Sequence, residues 1–338
     1  MSSRFRKRNR AFYGGVASRA GSPFSSRDQK NPSATDTLRP VLLLTGATGT
    51  IGLPLLSRLT ARGTPVRCLV RDPRRLGVER VRVQIALGDL SDHLSFRHAL
   101  RGVDTVVHLA SVIRDQPGGS IEELAGVATW RLVRAAEREG VQRFVFFSVL
   151  GASTRSRSRL LRAKAIAERA VVDSSLEHTI FAPSFVYSQG DRYMRLLERM
   201  SLLPVMPIPG SGSARFEPMW AEDVADCVLA ALPGGSAAAD ARDARYELAG
   251  PQTLSHREIV EIALRSVHRS RPIVGIPVPL TRRILELAEL LMGPTAFATW
   301  DEAQLLEISL TSARGIADAE KLGVRPRSIA AVLGAQGP

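Results

Sequence analysis

The feature that most constrains this chain is a glycine-rich turn between an apolar run and an amphipathic segment. The run VLLLT occupies residues 41–45, and the turn TGATGTIG follows at residues 45–52, with a glycine at every third position from Gly46. The next segment carries leucines at helical spacing and ends at Gly63. A short apolar run is typical of a buried parallel strand. The sequence therefore predicts a strand, a tight turn and a helix in direct succession.

The same alternation of strand and helix patterns continues to about residue 185. We predict further strands at 65–70, 81–87, 104–110, 142–148 and 178–184. We predict helices between them at about 91–101, 120–139 and 157–173. Strands that alternate with helices at this spacing form a doubly wound parallel sheet, a Rossmann-type α/β fold. The ligand crevice of such a fold lies at the carboxyl ends of its strands.

The alternation weakens after residue 185, which divides the chain. We predict a flexible basic tail over residues 1–39, an NAD(P)-binding Rossmann domain over 40–185 and a smaller C-terminal lobe over 186–338. Two parts of the lobe, near 214–232 and 245–250, are candidates to return to the sheet. An apolar helix is predicted from Leu280 to Met292, either as core of the lobe or as a wall for an apolar small molecule or a protein partner.

Charge is concentrated in the tail. Residues 1–39 hold nine basic and two acidic side chains, so +7 of the net charge of +13 lies there. The rest of the chain lacks interleaved basic and aromatic residues, which argues against nucleic-acid binding. An inert tail, an organelle transit peptide and a polybasic surface tether stay open for residues 1–39. We expect a cytoplasmic protein, with peripheral membrane association or organelle import through the tail as alternatives.

Cysteine and histidine positions exclude two further classes. Two cysteines, Cys68 and Cys227, cannot build a disulfide framework, and no pair of Cys or His residues has zinc-ligand spacing, so we predict no metal site.

The longest uncharged stretch, residues 41–57, is interrupted by Thr and Gly and is short for a membrane span. We therefore expect no transmembrane segment.

The glycine-rich turn has the chemistry of a phosphate site. Glycine is needed where a chain turns tightly, where backbone approaches a pyrophosphate and where a helix packs closely on a strand. The N-terminus of the following helix offers free N–H groups and the positive end of its dipole. A purely structural turn is the alternative. We predict that a dinucleotide is bound here by Gly46, Thr48, Gly49, Thr50, Ile51 and Gly52.

Arg71 points to the kind of dinucleotide. It lies at the end of the second predicted strand, 19 residues after Gly52, where an NAD-specific domain carries an acid that binds the ribose hydroxyls. A guanidinium suits a 2′-phosphate, which it binds bidentately, and Arg74 and Arg75 lie close by. We predict NADP(H) in preference to NAD(H), with a solvated basic face as the alternative.

Residues after the third and fourth strands complete the predicted cofactor site. Asp89 is placed to accept from the adenine amino group and Leu90 to lie along the base, and Asp89 is also a candidate cap for the next helix. Ala110 and Ser111 follow the fourth strand and can line the cofactor. We expect His108 to be a packed strand residue.

From about residue 41 to 335, the chain resembles the extended and atypical branch of the short-chain dehydrogenase/reductase superfamily. It most resembles the group that contains the nucleotide-binding accessory subunit of respiratory complex I and related NAD(P)H-binding proteins. The matching stretches include TGATGTIG, LVRDP, GDL, VVHLAS, FVFFSVLGA, AKAIAER, TIFAPSFVY and LGVRPRSIAAVL. The first three are common in the superfamily, and the later ones are more specific to the group.

The resemblance implies where catalytic residues would lie. Catalytic members use a tyrosine four residues before a lysine on one helix, together with a serine after the fifth strand. Here Ser148 matches the serine and Lys164 the lysine, whereas Leu160 occupies the tyrosine position. Pro183 lies where the superfamily passes its backbone under the nicotinamide. We therefore predict a protein that binds NADP(H) in a redox-sensing, assembly or structural role, without efficient turnover.

Several alternatives stay open around this site. An NADP-dependent reductase, or an epimerase-like enzyme, could use Lys164 or a nonstandard acid such as Tyr187 or Tyr193. Lys164 is the only lysine between residues 31 and 320, and the alternative to a cofactor role is a surface lysine paired with Glu168. Ser148 either caps a loop or contacts the nicotinamide.

Overall fold

Parallel strands form the centre of the structure, a computed structural model that describes residues 40–334. The predicted tail, residues 1–39, lies outside the described residues, as do residues 335–338. In chain order the strands are β1 Val41–Thr45, β2 Val66–Val70, β3 Gln84–Leu87, β4 Val103–His108, β5 Arg143–Phe147, β6 Glu177–Pro183, β7 Phe185–Tyr187, β8 Met206–Pro209, β9 Arg215–Phe216, β10 Pro218–Trp220, β11 Ala244–Leu248, β12 Leu254–Ser255 and β13 Ile273–Ile276.

Helices connect most of these strands. In chain order they are α1 Gly52–Ala61, α2 His93–Arg97, α3 Ala128–Arg138, α4 Arg159–Val172, α5 Arg192–Met200, α6 Ala221–Ala231, α7 His256–Ser266, α8 Val278–Met292, α9 Trp300–Leu305, α10 Ala317–Lys321 and α11 Ile329–Leu333. A π-helical turn, Glu122–Val127, leads directly into α3. The segment predicted as a helix at 91–101 contains the short α2 and a 3₁₀ turn.

Seven strands form one sheet in the order β11-β6-β5-β4-β1-β2-β3, and every neighbouring pair is parallel. The order of the first six strands is that of the Rossmann fold. The predicted Rossmann-type, doubly wound α/β class is therefore confirmed. The edge strand β11 overlaps the segment near 245–250, whereas β10, in the segment near 214–232, pairs with β7 in a separate two-stranded sheet.

Helices cover both faces of the sheet because alternate residues of a strand point to opposite sides. Leu42 and Leu44 of β1 pack into the apolar cluster that contains the buried faces of α1 and α6. Leu43 packs into a second cluster, which contains the buried faces of α3 and α4. Burial on both sides explains why β1 is a continuous apolar run.

The C-terminal part of the chain adds its own core and three two-stranded sheets, β7–β10, β9–β12 and β8–β13. That core includes Tyr187 and Phe216 together with Ile259 of α7. The predicted apolar helix is present as α8, but only Thr281 and Leu285 of its residues are buried. The interpretation of this helix as core of the lobe is therefore wrong.

Within residues 40–334, no helix combines the length and the hydropathy that crossing a bilayer requires. The same residues bring together no group of three or more His, Cys, Asp or Glu side chains that could hold a metal ion.

Candidate cofactor site

A cleft opens at the carboxyl ends of β1 and β4, where the strand order of the sheet reverses. The chain runs outward from β1 through β2 to β3, and from β4 through β5 to β6 in the opposite direction. The loops that leave the two central strands diverge, which creates a crevice. Its volume is about 250 Å³. Eight of the predicted cofactor residues line it: Gly46, Thr48, Gly49, Arg71, Asp89, Leu90, Ala110 and Ser111.

The three glycines of the turn serve different purposes. Gly46 has a φ of +74°, and a Cβ there would lie 2.6 Å from the backbone nitrogen of Ala110. A Cβ at Gly52 would lie 2.1 Å from the carbonyl oxygen of Gly46. At Gly49, by contrast, the one neighbouring atom within 4 Å is that same oxygen, at 3.2 Å. Gly46 and Gly52 are thus required by the fold, whereas Gly49 leaves space on the side of the cleft.

The first turn of α1 presents an unneutralised helix N-terminus at the turn. Thr50 and Ile51 lead into the helix, and no side chain caps it at Ile51. The first turn also contains no acidic residue. Leu53 donates its N–H to the carbonyl of Gly49, and Pro54 has no N–H. An anion is therefore offered the N–H groups that precede Leu53, together with the positive end of the dipole. Together with the space at Gly49, this arrangement fits the pyrophosphate of a dinucleotide.

A buried chain of hydrogen bonds fixes the ends of β1 and β4. The Thr45 hydroxyl donates to Nδ1 of His108 at 2.7 Å. The Thr129 hydroxyl donates to the carbonyl of Ala125 and lies 3.0 Å from Nε2 of His108, so it accepts the proton on Nε2. Burial lowers the pKa of His108 to about 3. His108 is therefore a neutral, packed strand residue that orients Thr45.

Arg71 and Asp89 meet across the outer part of the cleft. The Arg71 side chain is 63% exposed, and its Nη1 lies 3.8 Å from Oδ2 of Asp89. The other oxygen of Asp89 accepts from the backbone N–H of Ser91 at 2.9 Å. The cap of α2 is Asp92, so the alternative reading of Asp89 as a helix cap is wrong. Both predicted side chains thus face the cleft from the ends of β2 and β3.

A second group of predicted residues lies at the ends of β5 and β6, outside the lining of the cleft. The backbone N–H of Ser148 donates to the carbonyl of Phe181 at 2.7 Å, and that of Leu150 donates to the carbonyl of Pro183 at 2.9 Å. The Ser148 hydroxyl is buried and has no hydrogen-bond partner among the described residues. It therefore caps no loop, and its bonding capacity remains available to a ligand.

Lys164 belongs to the same group and is 4% exposed. Its Nζ donates to the carbonyl of Phe147 at 2.5 Å and lies 4.8 Å from the ring centroid of Phe146. Burial lowers the pKa of Lys164 to about 7, against the opposing charge of Glu168. The alternative of a surface lysine is therefore wrong, because this ammonium is buried at the end of β5.

Leu160 is buried one helical turn before Lys164. It packs in an apolar cluster with Ile121, Ala125 and Ala163, against which Leu305 of α9 also packs. The position where the resemblance implies a catalytic tyrosine is thus part of the apolar contact between α4, the π-helical turn and the C-terminal lobe.

Neither alternative tyrosine bonds to Lys164. The Tyr193 hydroxyl lies 2.6 Å from Nε2 of His256, and burial raises the pKa of this tyrosine well above its ordinary value. Tyr187 is fully buried in the lobe core, where burial also raises its pKa. A phenol with a raised pKa is a weaker acid, which lowers its value as a proton donor.

Some residues that line the cleft were not predicted from the sequence. They are Thr45, Ala47, Leu69, Val70, Arg75, Gly88, Leu109, Val112, Gln116 and Leu124. Arg75 had a signal, since it belongs to the arginine cluster after β2. Gln116 and Leu124 come from the irregular segment after β4, where no periodicity indicates which side chains turn inward.

Comparison with known proteins gives the family of this chain. A family model described as NAD(P)H-binding matches residues 46–233. The mitochondrial NADH dehydrogenase [ubiquinone] 1 alpha subcomplex subunit 9 of Arabidopsis thaliana is 28% identical over 263 residues, which cover 75% of this chain and 64% of that protein. The chain thus spans less than two thirds of the length of this relative.

Two further similarities bear on chemistry and fold. An NAD(P)H azoreductase of Xenophilus azovorans is 28% identical over 243 residues, covering 71% of this chain and 78% of that protein. A nucleoside-diphosphate-sugar epimerase from Staphylococcus aureus has the same fold, with a TM-score of 0.69 at 20% identity over 86% of this chain and 99% of that one. The chain belongs to the NAD(P)H-binding family.

Proposed function

We propose that this protein binds NADP(H) in preference to NAD(H) and serves as a redox-sensing, assembly or structural component, without efficient turnover. The observation that carries the proposal is Leu160, which fills the position of the catalytic phenol and packs in an apolar cluster. General acid catalysis needs a transferable proton within about 2.6–3.2 Å of the reacting oxygen and contributes roughly 10²–10⁴-fold to the rate. A leucine supplies no such proton.

The residues at the ends of β5 and β6 support binding of the nicotinamide half. When bound, the dinucleotide supplies a hydride at its nicotinamide ring. An ammonium has three donor hydrogens, and the carbonyl of Phe147 takes one of those on Lys164. We assign the others to the ribose hydroxyls and the unpartnered Ser148 hydroxyl to the nicotinamide. Pro183 then provides backbone beneath the ring.

The two cations of the cleft support the preference for NADP(H). Arg71 and Arg75 both line the cleft at the end of β2. A 2′-phosphate there gains hydrogen bonds in which both partners are charged, whereas a ribose hydroxyl of NAD(H) brings no negative charge to the two arginines. The carboxylate of Asp89 lies 3.8 Å from the Arg71 guanidinium and partly neutralises it, which weakens the preference for NADP(H). It does not cancel the preference, because the other oxygen of Asp89 accepts from the backbone N–H of Ser91.

A relative supports a role as a component of a larger assembly. The Arabidopsis protein is named as a subunit of NADH dehydrogenase, and we extend that kind of role to this chain. A cytoplasmic location, with organelle import as its alternative, stays a prediction.

Binding and turnover measured on the same preparation test this proposal. Calorimetry should give tighter binding of NADPH than of NADH. NADPH oxidation with ordinary carbonyl compounds and quinones should be slower than about 1 s⁻¹, the lower end of enzyme rates. Turnover at or above that rate would contradict the binding role, and equal affinity for the two cofactors would contradict the assignment of Arg71.

A reductase is the second candidate, and Lys164 favours it. With its pKa lowered to about 7, its ammonium could give a proton to the oxygen of a carbonyl substrate. Bound NADPH would supply the hydride that the carbonyl carbon needs, so that the products would be an alcohol and NADP⁺. The azoreductase relative is consistent with this chemistry. Under this alternative, turnover would fall as the pH rises through about 7 and would be lost in Lys164→Met, whereas Tyr193→Phe would leave it unchanged.

A further inference from the structure

The residues that we assign to the nicotinamide half of the cofactor are closed off in this structure. Ser148 and Lys164 are 5% and 4% exposed, and neither lines the cleft at the carboxyl ends of β1 and β4. The cleft, at about 250 Å³, is smaller than the roughly 300–1,000 Å³ of a typical small-molecule site. Its open space suits the adenosine and phosphate side of a dinucleotide, so the other half needs part of the chain to move.

A short segment of the C-terminal lobe, residues 299–310, crosses this closed end, and we call it the strap. Leu160 is the second residue of α4, at the edge of the sheet where β5 ends, and Leu305 packs against the apolar cluster of Leu160. Five residues later, the carbonyl of Leu310 accepts from the hydroxyl of Ser184, directly after β6. The strap therefore runs across the carboxyl ends of β5 and β6, where the nicotinamide residues lie.

The beginning of the strap borders the cofactor cleft. Thr299 and Asp301 line a second cavity of about 240 Å³. Gln116 belongs to the wall of this cavity and also to the wall of the cleft. The strap is thus a neighbour of the cleft at its start and of the nicotinamide residues at its end.

Backbone hydrogen bonds hold the C-terminal end of the strap. The N–H of Leu310 donates to the carbonyl of Arg215 at 2.8 Å, and the N–H of Arg215 donates to the Ser309 hydroxyl at 3.0 Å. The helix α9, at the other end, buries only Ala303. A segment with few buried apolar contacts opens at a low free-energy cost, so we expect α9 to be the end that moves.

Ion pairs attach α9 to the Rossmann domain. Asp301 lies 3.2 Å from Arg159 of α4, and Glu302 accepts from Nε of Arg114 at 3.0 Å. Arg159 also pairs with two carboxylates of the segment after β4, those of Asp115 and Glu122. Detachment of α9 therefore leaves Arg159 with two acidic partners.

We propose that the strap closes the nicotinamide end of the site and is displaced when the whole dinucleotide binds, whereas the adenosine half alone binds with the strap closed. The proposal rests on the function proposed above, because it takes Ser148 and Lys164 as partners of the nicotinamide half. The closed state must open first, so the measured affinity for NADPH is the intrinsic affinity reduced by the fraction of open molecules. Displacement of α9 then carries the presence of the full cofactor to the surface of the lobe, as a sensing component requires.

Hydrogen exchange of the full-length chain, followed by mass spectrometry, tests the displacement. Saturating NADPH should raise deuterium uptake across residues 299–308. Saturating adenosine 2′,5′-bisphosphate, which lacks the nicotinamide half, should leave that uptake unchanged. Equal uptake with either ligand bound would overturn the strap and leave the proposed cofactor binding standing. Failure of both ligands to bind in calorimetry would instead reject the proposed function, and the strap with it.

Two variants that loosen the strap test its effect on affinity. Leu305→Ala removes most of the side chain that packs near Leu160, and it should tighten NADPH binding about fivefold because more molecules are open. Asp301→Asn weakens the pair with Arg159, which is partly exposed, and should tighten NADPH binding about twofold. Neither variant should change the affinity for adenosine 2′,5′-bisphosphate.

Matched controls alter the same kinds of contact away from the strap. Leu333→Ala shortens a partly buried leucine of α11 that packs on the core of the lobe. Asp226→Asn removes one of the two carboxylates that pair with Arg58, between α1 and α6. Both controls should leave both affinities unchanged. The proposal is overturned if NADPH affinity in Leu305→Ala is unchanged or weaker, or if it shifts equally for the two ligands.

Discussion

Substitution of Gly49 separates the requirement for cofactor from the requirement for folding. A Cβ at this position meets one atom of the chain, the carbonyl oxygen of Gly46 at 3.2 Å, so a small local shift accommodates it. The backbone of Gly49 is not in the left-handed region, and a side chain there also restricts the unfolded chain. We therefore expect Gly49→Val to change the free energy of unfolding by less than about 1 kcal/mol.

The same side chain occupies the space that we assign to the pyrophosphate. Loss of the close backbone approach and of the hydrogen bonds at the start of α1 should remove measurable NADPH binding by calorimetry. Gly52→Ala gives the matched contrast, since its Cβ would lie 2.1 Å from the oxygen of Gly46. Overpacking of this kind costs about 1–3 kcal/mol, which should lower the melting temperature by several degrees.

The opposite pattern would refute this reasoning. A folded Gly49→Val protein with wild-type affinity for NADPH would show that the dinucleotide does not pass over the turn. A Gly49→Val protein that fails to fold would show that the turn is structural at this position as well.

Three further predictions follow from the site. Arg71→Ala should weaken NADPH binding about tenfold in calorimetry and leave NADH binding nearly unchanged. A charge-assisted contact contributes roughly 1.5–3 kcal/mol, and we expect the lower end of that range because the Arg71 side chain is largely exposed. Leu160→Tyr should leave NADPH affinity about the same, since we assign the ribose hydroxyls to Lys164, and a loss of affinity would contradict that assignment. Burial lowers the pKa of Lys164 to about 7 in the folded state. Between about pH 7 and pH 10 this lysine therefore carries a proton in the unfolded chain but not in the folded one, and the free energy of unfolding should rise with pH over that range. Lys164→Met should lose this rise in urea denaturation, and an identical pH profile would refute it.

Strands buried on both faces were predicted most closely. β1 begins and ends at the predicted residues because Leu42, Leu43 and Leu44 are all buried, so the apolar run has the same length as the strand. β3 is shorter than predicted, and Ile85 and Leu87 are exposed at the edge of the sheet. Apolar residues alone do not show how far an edge strand pairs.

The environment of Lys164 could not be predicted from sequence periodicity. A lysine on an amphipathic helix is usually exposed, and its burial here depends on the carbonyl of Phe147 and the ring of Phe146, which come from a different element. The same applies to α8. Its apolar spacing predicts a helix, but the spacing does not show that Leu287, Leu290 and Leu291 are exposed while only Thr281 and Leu285 are buried.

A structure with bound NADPH tests the central claim most directly, by showing which group lies beside C4 of the nicotinamide. The account predicts the dinucleotide over Gly46–Gly52, its ribose against Lys164, and Leu160 at the position of the missing phenol, with no acidic hydrogen within about 2.6–3.2 Å of where a substrate oxygen would lie. A hydroxyl of Tyr187 or Tyr193 beside C4 and within reach of Lys164 would contradict it.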